Sequence, residues 1–265
     1  MKRTIAVLAC MLASSLAFAA TASAGVSPGV QTLTDGGQCT ANFVFSDGTS
    51  NYIGQAAHCS STSGNTETNG CQASVLPIGT PVQLQDDQTG DFAYTGTLAY
   101  SSWNTMQAKG ADPASNECQY NDIALIKLPA GVAVSPTIPF WGGPTGLATT
   151  TTAGQDVYSY GNSSLRLGIE QLKPKRGKSL GTSGGGWTHQ VYTLTPGIPG
   201  DSGSAFIDDS GRAFGVLSTV AVAPLPASNG VSDLSRMLDY MHANEPSMAG
   251  VALQQGGPFS SGRIL

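Results

Sequence analysis

Short apolar runs punctuated by turn residues make up most of this chain, and helical spacing is rare. Asn42-Phe-Val-Phe-Ser46 and Asn51-Tyr-Ile53 flank Asp47-Gly48, which predicts a hairpin with an Asp-Gly turn. Residues 81–84 and 92–100 predict two further strands. The run Asn121-Asp-Ile-Ala-Leu-Ile-Lys-Leu128 is more strongly apolar and predicts a buried strand headed by Asp122. Only Ser232–His242 has helical periodicity, with Leu234, Met237, Leu238 and Met241 on one face and Ser232 placed as the cap. Residues 60–70, rich in Ser, Thr and Asn, predict a surface loop, and 112–117 a loop returning towards Asp122. The Pro- and Gly-rich stretch 129–144 predicts a linker between two halves, 25–135 and 145–245. The last residues, 246–265, predict a flexible tail. The basic stretch Lys173-Pro-Lys-Arg-Gly-Lys178 predicts a solvated loop at a hairpin tip, His189 a loop or strand edge, and His242 the late helix.

Composition sharpens this into an all-β expectation. Thirty-four glycines with few helical segments fit many short strands joined by turns. The N-terminus has a basic start at Lys2 and Arg3, an apolar core from Ile5 to Ala20 and small residues at Ala22-Ser-Ala24, the pattern of an export signal cleaved after residue 24. That stretch is too short and too rich in small residues for a membrane anchor. Cleavage leaves 10 basic against 17 acidic side chains, a net of −7, and gives no basic footprint for nucleic acid. It also removes Cys10 and leaves Cys39, Cys59, Cys71 and Cys118, an even set that predicts disulfides in an exported protein, with three pairings open.

The chemistry concentrates in Thr195-Pro-Gly-Ile-Pro-Gly-Asp-Ser-Gly-Ser204. Glycines at 200 and 203 allow a tight turn in which backbone N–H groups converge in front of the Ser202 hydroxyl, the arrangement acyl transfer needs. A hydroxyl needs a base, and His58 ends a short apolar run in Ala56-Ala-His-Cys59. Asp122, at the head of its apolar strand, needs a hydrogen-bonding partner if buried. Nothing in the sequence supplies a metal-ligand cluster or phosphate loop, so no cofactor or metal is expected.

The order His58, Asp122, Ser202 is that of the chymotrypsin class. The segments Ala56–Cys59, Asn121–Leu125 and Gly200–Gly203, with Val157–Gly161 and Gly215–Ser218, resemble the chymotrypsin-like (trypsin-type) secreted serine peptidases, over most of residues 39–220. The resemblance implies two six-stranded antiparallel β-barrels with the active site between them and a C-terminal helix. It implies a secreted, extracellular, monomeric serine endopeptidase acting on protein or peptide substrates. The triad would be His58, Asp122 and Ser202, with the oxyanion bound by the Gly200 and Ser202 N–H groups. It also implies the bridge Cys39–Cys59, and with it Cys71–Cys118.

Pro196 stands where a trypsin has its pocket Asp, Leu217 where glutamyl-specific relatives have His, and Val220 narrows the pocket beside Ser218; together these imply a small to medium apolar preference. The family's Gly-Gly-Pro after the nucleophile is Gly203-Ser-Ala205 here, and no Ile-Val-Gly-Gly start follows a basic site. Either the amine of Gly25 or of a trimmed chain pairs with Asp201, or Asp201 has another partner and no zymogen exists. Two rival readings are an inactive binding protein on a protease fold and an esterase on the same fold.

Overall fold

Alternation of burial along single strands sets the architecture: in Pro81–Gln85, Val82 and Leu84 point inward while Pro81 and Gln83 face solvent. The computed structural model describes residues 25–62, 67–221 and 226–263. The expected export signal and residues 63–66 of the expected loop lie outside them.

The first half holds β1 (Gly25–Val26), β2 (Gln31–Thr34), β3 (Gly37–Thr40), β4 (Val44–Ser46), β5 (Asn51–Gln55), β6 (Pro81–Gln85), β7 (Phe92–Ser101), β8 (Ala124–Lys127) and β9 (Ala133–Val134). They pair antiparallel in the order β4-β5-β8-β7-β6-β2-β3, with β1 and β9 as a separate parallel pair. The chain passes from β3 directly into β4. There Asn42 N–H donates to Gly54 O (2.8 Å) and Gly54 N–H to Phe43 O (3.0 Å), which brings the two sheet ends together. With β3 and β4 taken as one bent strand, this is a six-stranded barrel packed around Val44, Ile53, Val82, Leu84, Leu98 and Ile126.

The second half is a closed antiparallel barrel in the order β10 (Asp156–Tyr160), β11 (Pro174–Ser183), β12 (Thr188–Thr193), β15 (Ser228–Asp233), β14 (Ala213–Ala221), β13 (Ala205–Asp208), with β13 returning to β10. Val157, Val191, Phe206, Phe214 and Val231 fill it. A third apolar layer, including Phe43, Tyr100, Ile123, Trp141, Tyr158 and Met237, joins the halves.

Several expectations need correction. The C-terminal helix α3 is Leu234–Asn244, capped by the Asp233 carboxylate accepting from Arg236 N–H (2.8 Å); Ser232 still belongs to β15. Two short helices were not anticipated, α1 (Ser102–Lys109) and α2 (Asn116–Tyr120), the latter overlapping the expected loop at 112–117. The expected loose tail is docked as far as residue 263: β16 (Ala252–Leu253) pairs with β4, Val251 is buried, and Phe259 meets Tyr158 edge-on at 5.2 Å. The basic stretch 173–178 lies mostly on β11, where Lys175 is fully buried. His189 is buried on β12, its Nε2 2.8 Å from Asp233 Oδ2 and its Nδ1 2.9 Å from Thr151 Oγ1. His242 does lie on α3, with Nε2 2.8 Å from the Val251 carbonyl.

Candidate active site

Each functional side chain sits where an element ends. His58 lies in a tight 3-10 turn, Ala57–Ser60, that follows β5; the small residues Ala56 and Ala57 let it pack closely behind the ring. The Cys39–Cys59 disulfide fastens that turn to β3. Those two sulfurs are bonded to each other, so no thiolate is available beside His58 for a cation. Cys71 and Cys118 form the second bridge.

Asp122 lies between α2 and β8. Its neighbours are pinned by the first residue of α1: Ser102 Oγ donates to Asn121 O (2.9 Å), and Ile123 N–H donates back to Ser102 Oγ (3.2 Å). Asp122 Oδ1 accepts the His58 backbone N–H (2.9 Å). Its Oδ2 accepts from His58 Nδ1 (2.7 Å) and from the Ser218 hydroxyl (2.5 Å). Burial works against charge on Asp122, but the adjacent imidazole and these hydrogen bonds outweigh it and hold the carboxyl below its usual range. An ionised carboxylate only accepts, so Nδ1 carries a proton and Nε2 faces away from Asp122.

Ser202 is carried by the turn Ile198-Pro-Gly-Asp201, closed by Asp201 N–H to Ile198 O (2.9 Å). Gly200 has φ +91°, where proline before it and glycine at this position make a type II turn. The first barrel grips this loop of the second: Thr40 N–H donates to Ser202 O (2.8 Å), and Thr40 Oγ1 (2.8 Å) and Gln38 Nε2 (3.0 Å) both donate to Gly200 O. Gly203 must be glycine, since a Cβ there would lie 2.5 Å from the Thr40 carbonyl.

A cavity of about 270 Å³ joins these parts, with His58 and Ser202 in the same wall as Gly200, Leu217, Thr219 and Val220. Ser218 also lines it, although its hydroxyl is engaged by Asp122. Pro196 does not; its carbonyl accepts from Arg166 Nη2 (2.8 Å). The side wall is braced instead by the buried Asn229 of β15, whose Oδ1 accepts from Gly197 N–H (2.8 Å).

Asp201 is fully buried and has two cationic partners, Arg166 Nη2 at 2.6 Å and Lys175 Nζ at 2.9 Å. Burial opposes its charge, yet the Lys175 and Arg166 cations keep the carboxyl below its usual range. Burial likewise pushes Lys175 down, to about 8. Gly25 is committed elsewhere, paired with Ala133 in β1 and accepting from Asp87 N–H. Of the two alternatives for Asp201, the structure has the internal one. Sequence reasoning missed Arg166, Lys175, Ser163 and Asn229; the one available signal was an Asp beside Ser202 with no obvious amine to balance it.

Two barrels meeting at a cleft lined by His58 and Ser202, with Asp122 buried behind His58, have the fold of the bacterial chymotrypsin-like serine proteases. The chain superposes on Thermobifida fusca protease A with a TM-score of 0.53 at 15% identity, over 87% of this chain and 100% of that one. Nocardiopsis protease gives 0.52 at 15% identity over 86% and 100%. A glutamic acid specific serine protease, described as using a histidine triad in substrate binding, gives 0.52 at 16% over 86% and 100%. What is shared at these identities is the fold. No family model matches the sequence, and no curated protein matches it.

Proposed function

We propose that the chain is a secreted serine endopeptidase that cleaves peptide bonds through an acyl-enzyme. The observation that carries this is His58, oriented through Nδ1 and its backbone N–H by the buried, fully bonded Asp122 and lining the same cavity as Ser202. In this reading Ser202 Oγ attacks the substrate carbonyl while His58 Nε2 takes the hydroxyl proton and later delivers it to the leaving amine. Asp122 stabilises the imidazolium formed in between, and the Gly200 and Ser202 N–H groups receive the oxyanion. The fold's neighbours are named as proteases, one of them a serine protease, and two disulfides suit an oxidising compartment. No described helix is long and apolar enough to cross a membrane. We take the protein to act as a monomer without a cofactor.

The test is treatment of the signal-cleaved protein with a fluorophosphonate, with the adduct mapped by mass spectrometry. A stoichiometric adduct on Ser202 is expected. An unmodified protein would mean an inert binding protein, and turnover of esters but not peptides would assign the esterase reading.

Among the described residues, the cavity walls carry no carboxylate to pair with Lys or Arg, and apart from His58 no basic side chain to pair with Glu. Leu217 and Val220 make it apolar. Cleavage is therefore expected after small to medium apolar residues such as Ala or Val. A peptide library cut mainly after Arg, Lys or Glu would overturn this specificity.

A further inference from the structure

Of the two N–H groups assigned to the oxyanion, that of Gly200 belongs to the least constrained peptide of the site. The Pro199–Gly200 peptide is the central unit of the type II turn Ile198–Asp201. Rotating that plane by half a turn changes only ψ of residue 199 and φ of residue 200, and converts type II into type I. Glycine occupies φ near +90° and φ near −90° with similar ease, so position 200 itself does not choose between the two. The flanking units are fixed independently. Gly200 O is held by Thr40 and Gln38, and Asp201 is locked by Arg166 and Lys175.

One contact distinguishes the two orientations. Ser163, 2% exposed, donates its hydroxyl to the Pro199 carbonyl at 2.6 Å. The hydroxyl is itself fixed, accepting from Leu165 N–H (3.1 Å), and Ser163 N–H donates to Asp201 Oδ1 (3.1 Å). In a trans peptide the carbonyl and the N–H point in opposite directions. With Pro199 O turned towards Ser163, the Gly200 N–H is turned away from it, on a residue that lines the cavity. After a flip, a carbonyl oxygen would face the developing oxyanion in place of a donor.

We infer that Ser163 is a positioning residue for the oxyanion site: its hydroxyl selects the orientation of the Pro199–Gly200 peptide that presents the Gly200 N–H. Gly200 is the natural partner for this contact, since a Cβ at 200 would lie 2.8 Å from Ser163 Oγ and 2.4 Å from Gln38 Oε1. The same serine is bonded to Asp201 through its N–H and to the Pro199 carbonyl through its hydroxyl.

The catalytic part of this inference rests on the serine-peptidase reading; the structural part does not. The first measurement is a crystal structure of Ser163→Ala, in which the Pro199–Gly200 peptide is expected to be flipped or split between two orientations. A single, unchanged orientation overturns the inference whether or not the protein is an enzyme. The second is the kinetics of Ser163→Ala and Ser163→Thr. Ser163→Ala is expected to lower kcat about 10- to 100-fold, between the loss of one buried hydrogen bond and the loss of an oxyanion donor, with KM changed less than about threefold. Ser163→Thr, which keeps the hydroxyl, should recover most of it. Equal losses in both variants, or a loss confined to KM, would also overturn it. A parent enzyme inert towards peptides, esters and fluorophosphonate would refute the peptidase reading and leave the crystallographic result to decide the role of Ser163. Should Ser163→Ala fail to fold, the Ser163→Cys structure serves instead: its weaker donor should give a mixed peptide orientation, and a fully ordered parent-like peptide counts against the inference.

Discussion

An Asp122→Asn variant is expected to turn over a peptide substrate about 10⁴-fold more slowly than the parent near neutral pH, with KM nearly unchanged. The expectation comes from the three donors that converge on Asp122: the His58 backbone N–H, His58 Nδ1 and the Ser218 hydroxyl. A carboxylate can accept all three. An amide has one oxygen and one NH2, so at least one donor would meet another donor. Keeping Oδ1 for the backbone N–H turns the amide NH2 towards His58 Nδ1. The ring then accepts there, its proton moves to Nε2, and the base no longer has a lone pair for Ser202. Packing hardly changes, because the two side chains have the same shape, so substrate binding should survive. Steady-state kinetics beside thermal melts would check this; a variant within tenfold of the parent would mean that His58 does not depend on Asp122.

The second large effect concerns folding. Replacing Asp201 by Asn leaves Arg166 and Lys175 buried without a counter-charge, an arrangement that typically costs about 3–5 kcal/mol. For a chain of this size that corresponds to a melting temperature lower by roughly 10 °C at pH 7. Lys175 adds a pH signature. Its folded value is about 8 and its ordinary value 10.5, so between those limits the unfolded chain keeps a proton that the folded chain has released. Stability contributed at this site therefore rises as pH increases through that window. The parent should gain stability relative to Lys175→Met between pH 7 and pH 10. A constant difference across that range, or an unchanged melt for Asp201→Asn, would show that the cluster is not buried as described.

Local signals carried far in this chain, and their limits are physical. Asp47-Gly48 made its hairpin, the apolar runs made strands, and the periodic face of Leu234, Met237, Leu238 and Met241 is the buried face of α3. The helix begins one residue late because both Ser232 and Asp233 are good caps, and Ser232 is paired on both sides, with Thr188 and Val216, while the Asp233 carboxylate accepts from Arg236 N–H. Helix α1 escaped notice because eight residues give barely two turns and its buried residues, Trp103 and Met106, show no sustained period. Lys175 is the instructive failure. A lysine in a basic run reads as solvated unless a carboxylate is known to wait for it, and that carboxylate is 26 positions away in sequence. The tail misled for a related reason: glycine-rich segments look loose, yet the pairing of β16 with β4 and the packing of Val251 and Phe259 dock this one. Pro196 was placed by analogy alone, and the carbonyl it gives to Arg166 depends on contacts that spacing cannot reveal.

The grip of β3 on the nucleophile loop has a consequence for the order of events during synthesis. Gln38 and Thr40 emerge early, with His58 and Asp122, whereas the loop they hold is made some 160 residues later. In the proposed reading, an incomplete chain therefore has the base His58 and not yet the nucleophile Ser202. Once the second barrel exists, its serine loop still lacks three of its hydrogen bonds until it docks on the first. In that reading, the hydrolytic site is therefore complete only once both barrels are made and docked.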